Sequence, residues 1–317
     1  TGTRPGTRRG LDRSPPEPYR PPMSGPTIAE APSLMRTTGW ADYALLDSGG
    51  GRKLERYGPY RVVRPEPQCL WTPRLDAAVW DSADAVFDPT DEDEAGRWRF
   101  RGKPAEAWEL SWGNARFYGR FTNFRHLAFF PEQAANWAWL DARQRAAGRP
   151  LRILNLFGYT GVASLVCALA GAQVTHVDAS KQSVQRAREN AELSGVTNVR
   201  WIVEDARRFA QREARRGNRY DGVILDPPKF GRGPDGEVWR LFEDLPEMAR
   251  LCGGLLSDDA SFLILNAYAA RISGASMAGL VAEAVNRPGR VDWGELALVE
   301  EAGVRQVGLS FFARWSS

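Results

Sequence analysis

Cysteine and histidine are scarce in this 317-residue chain. Cys69, Cys167 and Cys252 lie far apart with no C-x-x-C pair, and His126 and His176 are the two histidines. That spacing excludes a recognisable zinc site, argues against a disulfide framework and fits a reducing compartment. No stretch approaches the roughly 20 apolar residues of a membrane helix. The amino terminus lacks the apolar core of a signal peptide, which predicts a cytoplasmic protein. A charge excess is also missing from the body of the chain. The net charge is +3, and residues 1–22 alone carry it, with five arginines against Asp12 and Glu17. Any affinity for phosphates must therefore come from local patches and not from bulk charge.

What is present is ordinary for a soluble globular protein: 43% hydrophobic and 26% charged residues, with length enough for two compact domains. Residues 1–34 hold eight of the 21 prolines and few large apolar side chains. Such a segment buries too little to offset its ordering entropy, so residues 1–35 read as a disordered Pro/Arg-rich tail. Residues 36–125 read as a small β-rich domain, with short apolar runs such as Tyr60–Val63 between Gly, Pro and Asp clusters. Eight of the 12 tryptophans fall before residue 140. They either fill the core of that small domain or stack on bases, and buried aromatics dominate small cores.

Residues 126–317 read as an α/β domain. A helix is expected from Pro131 to near Gly148. Apolar runs at 153–154, 174–177, 199–203, 222–225 and 262–265 then alternate with helical stretches. That alternation predicts a doubly wound, mainly parallel sheet. The runs 295–298 and 308–312 have no helix between them and predict an antiparallel pair.

Open α/β sheets bind ligands beyond the carboxyl ends of their strands, so the residues after each run are the candidates. After the first comes Asn155-Leu156-Phe157-Gly158-Tyr159-Thr160-Gly161, in which two glycines allow a sharp turn and close approach of a ligand. It is not a full G-x-G-x-x-G, and a merely tight turn explains it as well. After the second comes Asp178, 20 residues beyond Gly158. It suits the ribose hydroxyls of an adenosine or, alternatively, a helix N-cap; Ser180 can fill the capping role itself. Asp205 follows the third run and suits an adenine amino group or an N-cap. After the fourth comes Asp226-Pro227-Pro228-Lys229-Phe230. Each proline drives the preceding residue into an extended conformation and supplies no N–H. The loop is therefore rich in acceptors, a cradle for an amino group, although a Pro-Pro turn can also simply end a strand.

Together NLFGYTG, Asp178, Asp205 and LDPPKFGRG resemble the class I S-adenosylmethionine-dependent methyltransferases. More narrowly they resemble the bacterial 23S ribosomal RNA methyltransferase group that carries DPPKF after the fourth strand. The resemblance covers about residues 120–315, and Phe129–Gln133 resembles the segment that leads into that group's catalytic domain. It implies a Rossmann-like sheet of seven strands preceded by the small β-rich domain, S-adenosylmethionine as cofactor, ribosomal RNA as partner, and no metal. It implies that Asn155, Phe157, Gly158, Thr160 and Gly161 surround the methionine part. Asp178, Ala179 and Ser180 would meet the ribose, and Asp205 and Ala206 the adenine. Asp226, Pro227, Pro228, Lys229 and Phe230 would form the catalytic loop, with Asp226 also near the cofactor. Many members carry an RNA-binding PUA module at the amino terminus, where this chain has its Pro/Arg-rich tail.

Methylation of pyrimidine carbon-5 needs a cysteine nucleophile. Cytosine-modifying relatives resemble one another in carrying it after the fifth strand, where this chain reads Leu265-Asn266-Ala267-Tyr268. Nitrogen methylation of a base splayed against Phe230 is the expectation. A protein or small-molecule methyltransferase and a nicotinamide-dependent oxidoreductase share the same sheet and remain alternatives. Lys229 and Arg232 are candidates for a phosphate clamp. Arg207, Arg208, Arg212, Arg215, Arg216 and Arg219 form either a solvated helix face or an RNA contact.

Overall fold

A computed structural model describes residues 25–90, 96–268, 272–303 and 305–317. The chain opens with β1 (Thr27–Ile28) and β2 (Ser33–Thr37). Five strands follow in one sheet: β3 (Tyr43–Gly49), β4 (Arg52–Tyr57), β5 (Tyr60–Pro65), β6 (Ala85–Pro89) and β7 (Gly96–Phe100), with α1 (Ala77–Asp81) between β5 and β6. β8 (Trp108–Trp112) and β9 (Ala115–Gly119) form a separate hairpin.

A 3-10 turn at Pro131–Gln133 then leads into α2 (Ala134–Ala146), and the alternation begins. The order is β10 (Arg152–Leu156), α3 (Val162–Leu169), β11 (Gln173–Asp178), α4 (Lys181–Leu193), β12 (Val199–Val203), α5 (Ala206–Arg215) and β13 (Gly222–Leu225). A short hairpin of β14 (Phe230–Arg232) and β15 (Val238–Arg240) interrupts it. The chain continues through α6 (Leu241–Gly254), β16 (Phe262–Tyr268), α7 (Gly274–Val285), β17 (Arg290–Val299) and β18 (Gln306–Ser316). Among the described residues no helix is long and apolar enough to cross a membrane.

The main sheet runs β12-β11-β10-β13-β16-β18-β17, parallel from β12 to β16, with β18 antiparallel to both its neighbours. β10 and β13 are buried along almost their whole length because helices cover both faces, which is why their sequences are apolar without alternation. Strand order reverses at β10, which pairs with β11 on one side and β13 on the other. A crevice is expected there.

The sheet has nine strands and not seven. The additional two are β1 and β2, which pair in parallel with β17 through Thr27–Ile28 and Ser33–Thr37. Residues 27–35 therefore depart from the disordered-tail reading, while residues 1–24 lie outside the described residues. The prolines that suggested disorder, Pro26 and Pro32, each fall one residue before a strand, where no ladder N–H is required.

The core does not break at residue 126. Tyr43, Tyr57 and Phe117 from the β-rich part pack in one cluster with Phe129, Trp137, Ile153 and Ile264. Of the eight early tryptophans, Trp80, Trp108 and Trp137 are buried, and Trp40, Trp71, Trp98, Trp112 and Trp139 pack partly buried against the same cluster. They are core residues. A buried ion network completes the junction: Arg64 donates Nε to Glu55 Oε2 at 2.7 Å and Nη1 to the Arg125 carbonyl at 3.0 Å. Burial alone would raise the Glu55 carboxyl, but the Arg64 guanidinium and Lys53 override it and hold it at about 2.

Candidate cofactor and substrate site

A cavity of about 360 Å³ opens at the carboxyl ends of the parallel strands, a volume suited to a small ligand. Its floor is the turn after β10. Phe157, Tyr159 and Gly161 all take left-handed torsions there, with φ of 58°, 51° and 83°. Two of the three are not glycine, and each such residue costs roughly 1–2 kcal/mol, so something must hold them. Asp178 holds Tyr159: its Oδ2 accepts the Tyr159 N–H at 2.9 Å, and its Oδ1 accepts the Ser180 N–H at 2.8 Å. Burial pushes the Asp178 carboxyl above its ordinary value against the pull of these two donors. Ser180 is the residue that caps α4, accepting from Ser183 N at 3.1 Å.

Gly158 lies directly on a buried histidine. A Cβ there would stand 2.4 Å from His176 Cε1. His176 is neutral, because burial pushes its pKa down to about 3. Ser164 Oγ lies 3.0 Å from His176 Nδ1 and accepts from Asn155 Nδ2 at 2.9 Å. Asn155 thus supports the turn from below as well as lining the cavity. Thr160 is tied in the same way, donating its hydroxyl to the Ala128 carbonyl at 2.6 Å.

Asp205 is the N-cap of α5, with Oδ1 accepting Arg208 N at 2.9 Å, and it also lines the cavity together with Ala206. Both uses considered for it are open at once, since no described residue donates to Oδ2. Ala179 and Ser180 line the same end.

At the other end stands Asp226. Its Oδ2 accepts Gln133 Nε2 at 3.2 Å, while its Oδ1 is buried with no hydrogen-bond partner. Burial, and then the neighbouring Glu132 charge, push its pKa up to about 7. Gln133 Nε2 also donates to Tyr268 Oη at 2.8 Å, and Gln133 Oε1 accepts from Asn136 Nδ2, which reaches Asn266 Oδ1 at 2.9 Å. The double proline does not present all its carbonyls. Pro228 O accepts from the Trp239 indole at 2.7 Å and Lys229 O accepts Leu241 N at 3.1 Å. Pro227 lines the cavity beside Asp226.

Of the residues singled out from sequence, Asn155, Phe157, Gly158, Thr160, Gly161, Asp178, Asp205, Asp226, Pro227 and Pro228 converge on this cavity. Lys229 and Phe230 do not line it. Phe230 is the first residue of β14 and 54% exposed, so it cannot be the wall against which a base lies inside. The aromatic wall comes instead from Phe130, Tyr159, Trp239 and Tyr268. Sequence reasoning gave no role to Gln133, Asn136, Asn266 or Tyr268. Asn266 did carry a signal, a polar residue inside the apolar run of β16. The arginines of α5 are mostly spent. Arg207 pairs with Asp244 at 2.7 Å, Arg208 with Asp235 and Glu237, Arg212 with Glu204, and Arg216 with Glu213 at 3.8 Å. The helix is a salt-bridged face.

The donor set fits an adenosine-type sulfonium cofactor. Asp178 and Asp205 offer acceptors 27 residues apart in sequence at adjoining strand ends. The left-handed turn brings bare backbone to the cavity between them and Asp226. Comparison with known proteins agrees. Residues 77–269 match the family model described as S-adenosylmethionine-dependent methyltransferase. Among curated proteins, the ribosomal RNA large subunit methyltransferase I of Aeromonas salmonicida is 38% identical over 82 residues, 25% of this chain and 21% of that protein. The ribosomal RNA large subunit methyltransferase K/L of Pseudoalteromonas translucida is 41% identical over 80 residues, 25% of this chain and 11% of that one. The matches thus span about a fifth or less of those relatives' lengths. Among solved structures, the SAM-dependent methyltransferase from Agrobacterium tumefaciens is 49% identical with a TM-score of 0.89, over 92% of this chain and 96% of that one. A methyltransferase from Streptococcus mutans shares the fold at 16% identity and a TM-score of 0.66, over 88% of this chain and 76% of that one. A family match across more than half the chain, a near-complete structural relative and a cavity of this composition converge: the chain belongs to the S-adenosylmethionine-dependent methyltransferases.

Proposed function

We propose that the chain methylates a nitrogen atom of a base in RNA, with ribosomal RNA the substrate to test first. The observation that carries this reading is Asp226 Oδ1, a buried acceptor without a partner at the end of the cavity that Pro227 also lines. An exocyclic amino group brings two N–H donors, one for that oxygen and one for the Pro227 carbonyl. A buried carboxylate oxygen without a partner is costly, and a substrate that satisfies it is held where it must react.

S-adenosylmethionine supplies an electrophilic methyl group. The chain's own residues orient the acceptor nitrogen and remove its proton. Gln133 fixes the Asp226 carboxylate through Oδ2 and is itself fixed by Tyr268. With a pKa of about 7, Asp226 can accept a proton from the methylated nitrogen near neutral pH. It orients an amino group only while ionised, so turnover rises with pH through about 7. Carbon-5 chemistry is disfavoured. Cys69, Cys167 and Cys252 are buried, none lines the cavity, and burial pushes each thiol up to about 12. The names of the curated relatives support RNA as the substrate class.

The test is transfer of labelled methyl groups from S-adenosylmethionine to total RNA and total protein from a strain lacking the gene. Label in ribosomal RNA, recovered as an N-methylated nucleoside, is expected. Label confined to protein, or recovered on carbon, overturns the reading.

A further inference from the structure

The hairpin of β14 and β15 overhangs the cavity mouth, and its two faces differ. Gly231 opposite Trp239 faces inward: both line the cavity, and Trp239 is buried against Phe157 with ring centroids 4.9 Å apart. Alternation along the strands turns the flanking pairs away from that inner face, with Arg232 at the rim, where it also lines the cavity. These are Phe230 opposite Arg240 and Arg232 opposite Val238, so each pair sets an apolar side chain against an arginine. Phe230 is 54% exposed and Val238 38%, and Phe242, two residues past β15, is 57% exposed. Three of the nine large apolar side chains exposed among the described residues thus fall within the 13 residues 230–242, beside the cavity mouth.

The charges on and beside this face are mixed, but the acids have partners within the chain. The acids of the hairpin loop, Asp235 and Glu237, are held by Arg208 of α5. Arg232 has no hydrogen bond or ion pair with any described residue. Arg240 meets Glu243 at 3.2 Å, but both side chains are at least 60% exposed, and such a pair is worth little. Exposed rings beside available guanidinium groups match the chemistry of an unpaired nucleic-acid strand, whose bases stack and whose phosphates take cations.

We propose that the outer face of this hairpin binds the single-stranded RNA that flanks the target nucleotide. Phe230 stacks on a neighbouring base, and Arg232 and Arg240 take the adjoining phosphates. The hairpin then holds the strand outside while the target base enters past Pro228 and Gly231. This assignment rests on the RNA reading above and gives Phe230 a substrate contact outside the cavity.

The test measures fluorescence anisotropy of a short fluorescein-labelled single-stranded RNA of mixed sequence across a salt series. Phe230→Ala is expected to weaken binding about tenfold. Arg240→Gln should lower the slope of log affinity against log salt by about 0.7. A Phe242→Ala, Arg240→Gln double variant should keep the wild-type affinity for S-adenosylmethionine, measured calorimetrically, which shows that the fold is intact. If the wild-type protein binds and methylates RNA but these variants bind it equally well, the hairpin assignment is wrong and the RNA reading stands. If the wild-type protein neither binds nor methylates RNA, both fall. Self-association of the wild-type protein that Phe242→Ala abolishes, with RNA affinity unchanged, would make the face a contact between copies and overturn the assignment.

Discussion

At the end of the cavity beyond β11 and β12, Asp178 and Asp205 already hold backbone N–H groups at 2.8–2.9 Å. At the end beyond β13, Asp226 keeps one oxygen buried without a partner and meets only the long 3.2 Å contact from Gln133 with the other. The first arrangement stabilises the chain whether or not a ligand is present, because its carboxylates double as turn and helix caps. The second is a cost to the chain until something donates to it. On the function proposed above, the first end binds the cofactor and the second carries the reaction.

Substituting the two acids separately should expose that division most sharply. Asp226→Ala is expected to cut methyl transfer by two to three orders of magnitude, on the scale of losing a positioned charge-stabilising group. Its affinity for S-adenosylmethionine should stay within a few-fold of wild type. Asp178→Ala should weaken that affinity about 10- to 100-fold, on the scale of charge-assisted hydrogen bonds, with turnover partly recovered at saturating cofactor. Calorimetry alongside initial rates separates the two. Equal loss of binding in both variants would erase the contrast.

A smaller effect tests whether the binding end depends on its foundation. Gly158→Ala forces a methyl group against His176 and should lower stability by about 1–3 kcal/mol, read as a fall in Tm. His176→Ala in the same chain should restore part of it, since the ring is what the methyl group meets.

The smallest effect concerns pH. Glu132→Gln removes the charge that adds to burial in raising Asp226, so the midpoint of the rate-against-pH curve should move below about 7 by a few tenths of a unit. Stability moves the opposite way from a salt-bridged carboxylate. The folded state keeps the Asp226 proton that the unfolded chain gives up near 3.8. This group's contribution is therefore fully present at low pH and lost as pH rises through about 7. Asp226→Asn should flatten denaturant-measured stability across that window.

The glycine turn, Asp178, Asp205 and the double proline were legible in sequence because each immediately follows a strand, and strand ends in an alternating α/β pattern must converge. Gln133 and Tyr268 were not, because their contact spans 135 residues and joins the turn before α2 to the end of β16. Phe230 was misplaced for a local reason. Its motif reads as a loop, but β14 and β15 pair, and the alternation of that pairing turns the ring outward. The arginines of α5 left two readings open in the sequence because their partners, Glu204, Asp235, Glu237 and Asp244, belong mainly to other elements. The arm at residues 27–37 was hidden by proline content, which reports local stiffness and says nothing of a sheet margin waiting elsewhere.

That arm has a protective consequence. β17 is 10 residues long and borders the sheet, and Thr27–Ile28 with Ser33–Thr37 occupies most of the hydrogen-bonding margin it would otherwise turn to solvent. A bare margin of that length is a template for any other extended chain. Clipped beyond Thr37, the protein would keep its cavity and acquire a sticky flank, so residues 27–37 act as a guard against aggregation.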